Sequence, residues 1–109
     1  MKTTVLVADD ALFMRALIRG ILGGSGRFEV IGEASSGPEV LEMYPRLRPE
    51  IVTMDVVMPG MNGIEATRRL LAADPSACIV VCTALGQQSL VMESIAAGAR
   101  DFIVKPFTD

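Results

Sequence analysis

With 109 residues and 11.6 kDa the chain can bury one core but not two, and with half its residues hydrophobic and only 5% aromatic that core is built from Val, Ile, Leu, Met and Ala. A net charge of -3, a pI near 4.9 and ten scattered Lys and Arg exclude a surface made for a nucleic-acid backbone. The absence of His excludes Ser-His and Cys-His catalysis, most zinc sites and a self-supplied phosphohistidine, so carboxylates, Lys and hydroxyls must carry any chemistry.

Residues 4–8 form a short apolar run that predicts a strand, and Asp9 and Asp10 follow it. Residues 11–22 carry apolar side chains at three- and four-residue intervals and predict a helix. It is ended by Gly23-Gly24-Ser25-Gly26, a cluster that lacks both the preceding strand and the Gly-Lys-Ser/Thr ending of a phosphate loop and so reads as a flexible connector. A strand at 29–34 leads into a helix from Pro38 to about Tyr44, with Ser36 as its cap and Pro38 in its first turn. Pro45 predicts a kink or an early stop. The third strand, 51–54, delivers Asp55. A helix at 64–73 ends at Asp74-Pro75. The fourth strand, 78–83, carries Cys78 and Cys82 with backbones roughly 13 Å apart, beyond a disulfide, so both read as reduced core residues. It ends on Thr83. A helix at 87–97 is closed by Gly98, and a last strand at 101–104 is followed by Lys105. No apolar run reaches membrane-span length and no cleavable signal opens the chain, which predicts a soluble cytoplasmic protein.

The order βαβαβαβαβ forces parallel strands joined by right-handed crossovers, hence an α/β doubly wound five-stranded sheet with helices on both faces. In such a sheet the strand C-termini share one edge, so Asp9, Asp10, Asp55, Thr83 and Lys105 are expected to converge there. Three crowded carboxylates repel one another unless a cation lies among them, and an all-oxygen donor set suits Mg²⁺. The cleft then fits phosphoryl transfer. Asp55 is the candidate nucleophile, Asp9 and Asp10 the metal ligands, Lys105 the contact to the phosphoryl group, and Thr83 a hydrogen-bond donor to one of its oxygens. All of these but Asp9 also have a plainer reading. Asp10 could cap the first helix, Asp55 could be a turn residue, and Thr83 could be an ordinary strand residue. Lys105-Pro106 could be a trans turn, or could carry a cis bond.

The runs Val5-Leu6-Val7-Ala8-Asp9-Asp10, Met54-Asp55, Met58-Pro59-Gly60-Met61-Asn62-Gly63, Thr83-Ala84 and Gly98 to Phe107 resemble the receiver domains of two-component response regulators, in the same order and over nearly the whole chain. Thr83 to Ser89 and Asp101 to Phe107 are most similar to the single-domain chemotaxis regulators, of the CheY type. The resemblance implies a flavodoxin-like sheet of order 2-1-3-4-5, phosphorylation of Asp55 by a histidine kinase, and Mg²⁺ bound by Asp9, Asp10, Asp55 and the Val57 carbonyl. It also implies a switch in which Thr83 moves to the phosphoryl group and Phe102 turns inward, remodelling a surface that binds a downstream protein such as the flagellar motor switch. The plain reading of Phe102 is a permanent core ring.

Two departures from the family pattern stand out. The sequence stops at Asp109, where the family continues into a fifth helix beside the first. An undercovered sheet face is therefore expected, either from truncation or because a second chain covers it by self-association. Val57 and Leu85 are apolar where faster-hydrolysing members carry polar groups, which predicts a long-lived aspartyl phosphate. Val57 also argues against an aspartyl-phosphate hydrolase of the haloacid dehalogenase type, which needs a second Asp there. Two alternatives stay open: a receiver domain from a larger regulator (CheB methylesterase or transcription factor), and a binding module that is not phosphorylated.

Overall fold

The computed structural model describes residues 2–58, 60–84 and 88–105, with backbone alone for residues 83, 84, 88, 90, 91, 94 and 102–105. Strands and helices alternate: β1 (Thr3–Ala8), α1 (Leu12–Ser25), β2 (Phe28–Ala34), α2 (Gly37–Leu47), β3 (Ile51–Asp55), α3 (Gly63–Ala73), β4 (Ile79–Ala84), α4 (Gln88–Ala96) and β5 (Asp101–Lys105). All strand pairs are parallel and the sheet order is β2-β1-β3-β4-β5, the expected flavodoxin-like arrangement.

Strand side chains alternate between two faces, so each strand feeds two cores. Leu6, Ala8, Val52, Met54, Ile79 and Val81 pack with Val40 of α2 and Ile64, Ala66 and Leu70 of α3. On the other face Val5, Val7 and Ile51 meet Ile18 and Leu22 of α1. Leu6, Val7, Val40, Val52, Met54 and Val81 are wholly buried, and each such aliphatic side chain contributes about 1.5–3 kcal/mol of transfer free energy. Register then sets the level of the functional edge. Ala8 pairs with Met54, Asp55 with Cys82, Thr83 with Val104 and Ala84 with Lys105, so β1, β3, β4 and β5 end along one line.

Two expectations about helix ends are corrected. α1 does not stop at Leu22 but runs through Gly23 and Gly24 to Ser25, so the glycine cluster is helix and not a flexible connector. Gly26 alone takes the left-handed conformation, φ 75, that ends the helix. Each helical Gly costs about 1 kcal/mol relative to Ala. The last turn is held all the same: Leu22 packs on the α1-side core, and Ser25 Oγ donates to the Leu22 carbonyl at 2.8 Å while accepting from the Arg27 N–H at 3.1 Å. Likewise α2 continues through Pro45 to Leu47. Pro45 has no N–H to donate to the Leu41 carbonyl, and that loss is offset by Tyr44 and Leu47 on either side, which pack on the core. Arg48 then closes the helix at φ 49, its N–H donating to the Tyr44 carbonyl at 2.8 Å.

The other boundaries follow the sequence reading. Ser36 Oγ accepts from the Glu39 N–H at 3.3 Å, and Glu39 Oε1 accepts from the Ser35 N–H at 2.8 Å, a capping box displaced by one residue. Asp74 ends α3, and Gly98, φ 109, follows α4. Cys78 is half-buried, Cys82 is buried and neither is in a disulfide. The expectations for Leu85, for a cis bond before Pro106 and for residues 106–109 lie outside the described residues.

Two features give measurable consequences. Among the described residues, Thr53 Oγ1 is buried without a hydrogen-bond partner, on the α1 side of β3 between Val7 and Val80 in register. Replacing that hydroxyl, Thr53→Val, is expected to stabilise the protein by about 1 kcal/mol in urea unfolding, and a lower midpoint would show that the hydroxyl is satisfied. The single tyrosine, Tyr44, donates its hydroxyl to Asp74 Oδ2 at 2.8 Å. Desolvation, and after it the Asp74 contact, pushes the phenol from 10.0 up to about 12, while the Ser76 and Tyr44 hydroxyls hold the Asp74 carboxyl below 3.8. The stability linked to the phenol is thus fully present below pH 10 and lost as pH rises through about 12, whereas the Asp74 share is present above pH 3.8 and lost in acid. A phenolate absorbance titration should move towards lower pH in Asp74→Ala, and an unmoved midpoint would contradict the contact.

Candidate functional site

Asp9 follows the last residue of β1 and is tied at every main-chain polar group near it. Its N–H donates to the Ala34 carbonyl of β2 at 3.0 Å, and its Oδ1 accepts from the Ala11 N–H at 2.9 Å, closing a tight turn. Arg15 Nη1 donates to its carbonyl oxygen at 2.8 Å. The carboxylate is thereby 1% exposed. Asp10 is exposed and does not cap α1: the N-cap position is Ala11, with no side-chain cap bond. Its carboxylate is therefore not spent on the helix.

Asp55 is the last residue of β3, 6% exposed and level with Cys82 of β4, which is not the setting of a surface turn residue. The chain beyond it is pinned at both ends. The Val56 N–H donates to the Cys82 carbonyl at 3.2 Å, and the Val56 carbonyl accepts from the Gly63 N–H at 2.8 Å. Gly63 passes so close to the Asp55 carbonyl oxygen that a methyl group there would collide with it. Asn62 caps α3, its Oδ1 accepting from the Glu65 N–H at 2.9 Å, and Thr67 Oγ1 donates to the Gly63 carbonyl at 2.7 Å. Between these anchors Val57 turns outward, 58% exposed.

The result is that carboxylate oxygens of Asp9, Asp10 and Asp55 all lie within 4.8 Å of one another. Two buried carboxylates and one exposed one make a hard, all-oxygen donor set that is open on one side, which fits Mg²⁺ with part of its water shell retained. Thr83 and Lys105 occupy the ends of β4 and β5, one and two register positions beyond the Asp55–Cys82 pair, and Phe102 pairs with Val81. Their side chains lie outside the described residues. Two clefts open between the C-terminal ends of α2 and α3, lined by Tyr44, Arg48, Asp74 and Ser76, on the opposite edge of the sheet from the acidic group.

Three supporting residues escape the sequence reading. Gly63 stood there only as the last residue of the Met58 to Gly63 run, with no role assigned. Arg15 and Glu33 lie 18 positions apart, and nothing in the sequence links them before β2 is placed beside β1. Among the described residues no helix is long and apolar enough to cross a membrane.

Comparison with known proteins agrees with this geometry. Residues 5–109 match the model of the response regulator receiver domain. The chemotaxis protein CheY of Thermotoga maritima is 53% identical over 107 residues, covering 98% of this chain and 88% of that protein. A protein-glutamate methylesterase/protein-glutamine glutaminase of Pyrococcus horikoshii is 41% identical over 96% of this chain but only 29% of its own length. Among solved structures, the CheX–CheY–BeF3–Mg²⁺ complex of Borrelia burgdorferi matches with a TM-score of 0.90 and 33% identity, covering 97% of this chain and 80% of that one. The chain therefore belongs to the response regulator receiver domain family and is a signalling domain of two-component phosphorelay, of the kind used in chemotaxis.

Proposed function

We propose that the chain is cytoplasmic and accepts a phosphoryl group on Asp55 from a histidine kinase, in a Mg²⁺-dependent step that it catalyses itself, and so switches a protein-binding surface. The observation that carries this is the convergence of Asp9, Asp10 and Asp55 within 4.8 Å, from two strand ends, with Asp55 buried at the end of β3. Asp9, Asp10, Asp55 and the Val57 carbonyl would hold Mg²⁺, which when bound neutralises charge on the transferred phosphoryl oxygens.

A carboxylate oxygen of Asp55 attacks phosphorus in line. The new P–O bond forms as the P–N bond to the donor imidazole breaks, and the leaving nitrogen keeps the electron pair and takes a proton from solvent. Lys105 approaches a phosphoryl oxygen with its ammonium group and Thr83 donates its hydroxyl to another. Support for both comes from their register positions at the same sheet edge. Movement of Thr83 and an inward turn of Phe102, level with Val81, would then carry the change into the β4–α4–β5 surface, a two-state element biased by new charge.

The output is a downstream protein, the flagellar motor switch in the chemotaxis reading. The chemotaxis naming of the CheY relatives supports the chemotaxis reading, and the Borrelia CheY in complex with CheX supports a protein partner. A second reading, a receiver domain belonging to a methylesterase, is favoured by matches such as the Pyrococcus one. The Asp55 chemistry is the same in both.

Intact mass after incubation with Mg²⁺ and a small acyl phosphate should show one added phosphoryl group in the wild type and none in Asp55→Asn. A gain in both, or in neither, would contradict the assignment. The outward, apolar Val57 offers no group to orient water beside Asp55, so the phosphorylated mass should persist for minutes after donor removal, and decay within seconds would contradict that role.

A further inference from the structure

Arg15 sits on α1 with its side chain 16% exposed and joins two elements. Its Nη1 donates to the Asp9 carbonyl at 2.8 Å, and its Nε donates to Glu33 Oε1 on β2 at 3.1 Å. The other oxygen of Glu33 pairs with Arg19, one turn further along the helix. A guanidinium suits this bridge because its donors lie in a rigid fork that can serve two acceptors at once.

The carbonyl it grips belongs to the peptide between Asp9 and Asp10. Rotation of that peptide plane would swing both carboxylates, because it changes the backbone angles on either side of it. The Asp9 N–H is anchored to the Ala34 carbonyl, and Arg15 holds the carbonyl of the peptide that follows. Ala11 caps α1 without a side-chain bond, the first turn holds no acidic residue, and the Asp9 Oδ1 contact to the Ala11 N–H is itself set by the same peptide. Repulsion among three carboxylates within 4.8 Å pushes on this turn whenever no cation is bound.

We propose that Arg15, held in place by Glu33, is a positioning residue that fixes the Asp9–Asp10 peptide and so sets the geometry of the metal-binding acid pair. The inference rests on the reading of Asp9, Asp10 and Asp55 as a Mg²⁺ site. It has a sign that simple electrostatics lacks. Removing a cation from beside an acidic cluster would by charge alone tighten the binding of a dication, whereas loss of positioning weakens it.

The test is Mg²⁺ titration calorimetry on the full chain, wild type against Arg15→Met and Arg15→Lys, with amide exchange at Ala11 followed in Mg²⁺-free buffer. Arg15→Met should bind Mg²⁺ about ten- to a hundredfold more weakly, as outer-shell changes do. Arg15→Lys, which keeps the charge but reaches one acceptor, should fall between, and the Ala11 amide should exchange faster in Arg15→Met without metal. Should Arg15→Met not fold, Arg15→Lys is read alone, and weaker Mg²⁺ binding is again expected although the charge is kept. Unchanged or tighter Mg²⁺ binding in a folded variant overturns the positioning role and leaves the metal site standing. Failure of the wild type itself to bind Mg²⁺ removes both.

Discussion

Three carboxylates gathered within 4.8 Å at the edge of a folded domain repel one another, and the rest of this structure is arranged around tolerating that repulsion. Two unit charges about 4 Å apart interact by about 4 kcal/mol at an effective dielectric near 20, comparable with a large part of the stability of a small domain. Such a cluster persists only if the backbone carrying it is over-determined. Asp9 is held by bonds to Ala34, Ala11 and Arg15 from three directions, and Asp55 sits between a paired β4 strand and a glycine too close to admit a side chain. Under the proposed function that repulsion is what a divalent cation, and through it a phosphoryl group, would relieve.

The sheet supplies the convergence and the two cores supply the rigidity. Parallel strands joined by crossovers bring residues 9 and 55 to one level because Ala8 and Met54 are register partners, and wholly buried Leu6, Val7, Val52 and Met54 lock that register on both faces. A one-residue slip would turn every one of these side chains to the wrong core. β4 and β5 extend the same edge, so charge placed on Asp55 acts directly on the ends of the strands that border α4. In physical terms the fold is a stiff β1–β3 floor carrying the acidic cluster, and the proposed function places its output at the sheet's β5 end.

The architecture was readable from the sequence because hydrophobic period and strand-end polar residues are local signals. Asp9, Asp10 and Asp55 stand directly after apolar runs, and alternation of strands and helices makes the sheet parallel and doubly wound, while its order came from the family resemblance. Local signals also explain the errors. Gly23, Gly24 and Pro45 are poor helix residues by intrinsic propensity, yet packing of Leu22, Tyr44 and Leu47 on the cores carries both helices past them. The supports of the site were hidden for the opposite reason. Arg15 and Glu33 look like solvated surface charges until β2 is laid against β1, and the need for Gly63 depends on how closely α3 begins behind Asp55. Contacts between distant segments carry no periodic trace.

The account stands most directly on the unfolding midpoint measured with and without Mg²⁺ for the wild type and Asp10→Asn. Asn preserves shape while removing one of the three charges. In Mg²⁺-free buffer the variant should be the more stable of the two, because the repulsion is relieved. On adding Mg²⁺ the wild type should gain stability as binding to the folded state requires, and the variant should gain markedly less. A variant that is no more stable without the metal, and that responds to Mg²⁺ as the wild type does, would contradict a site built on carboxylate crowding.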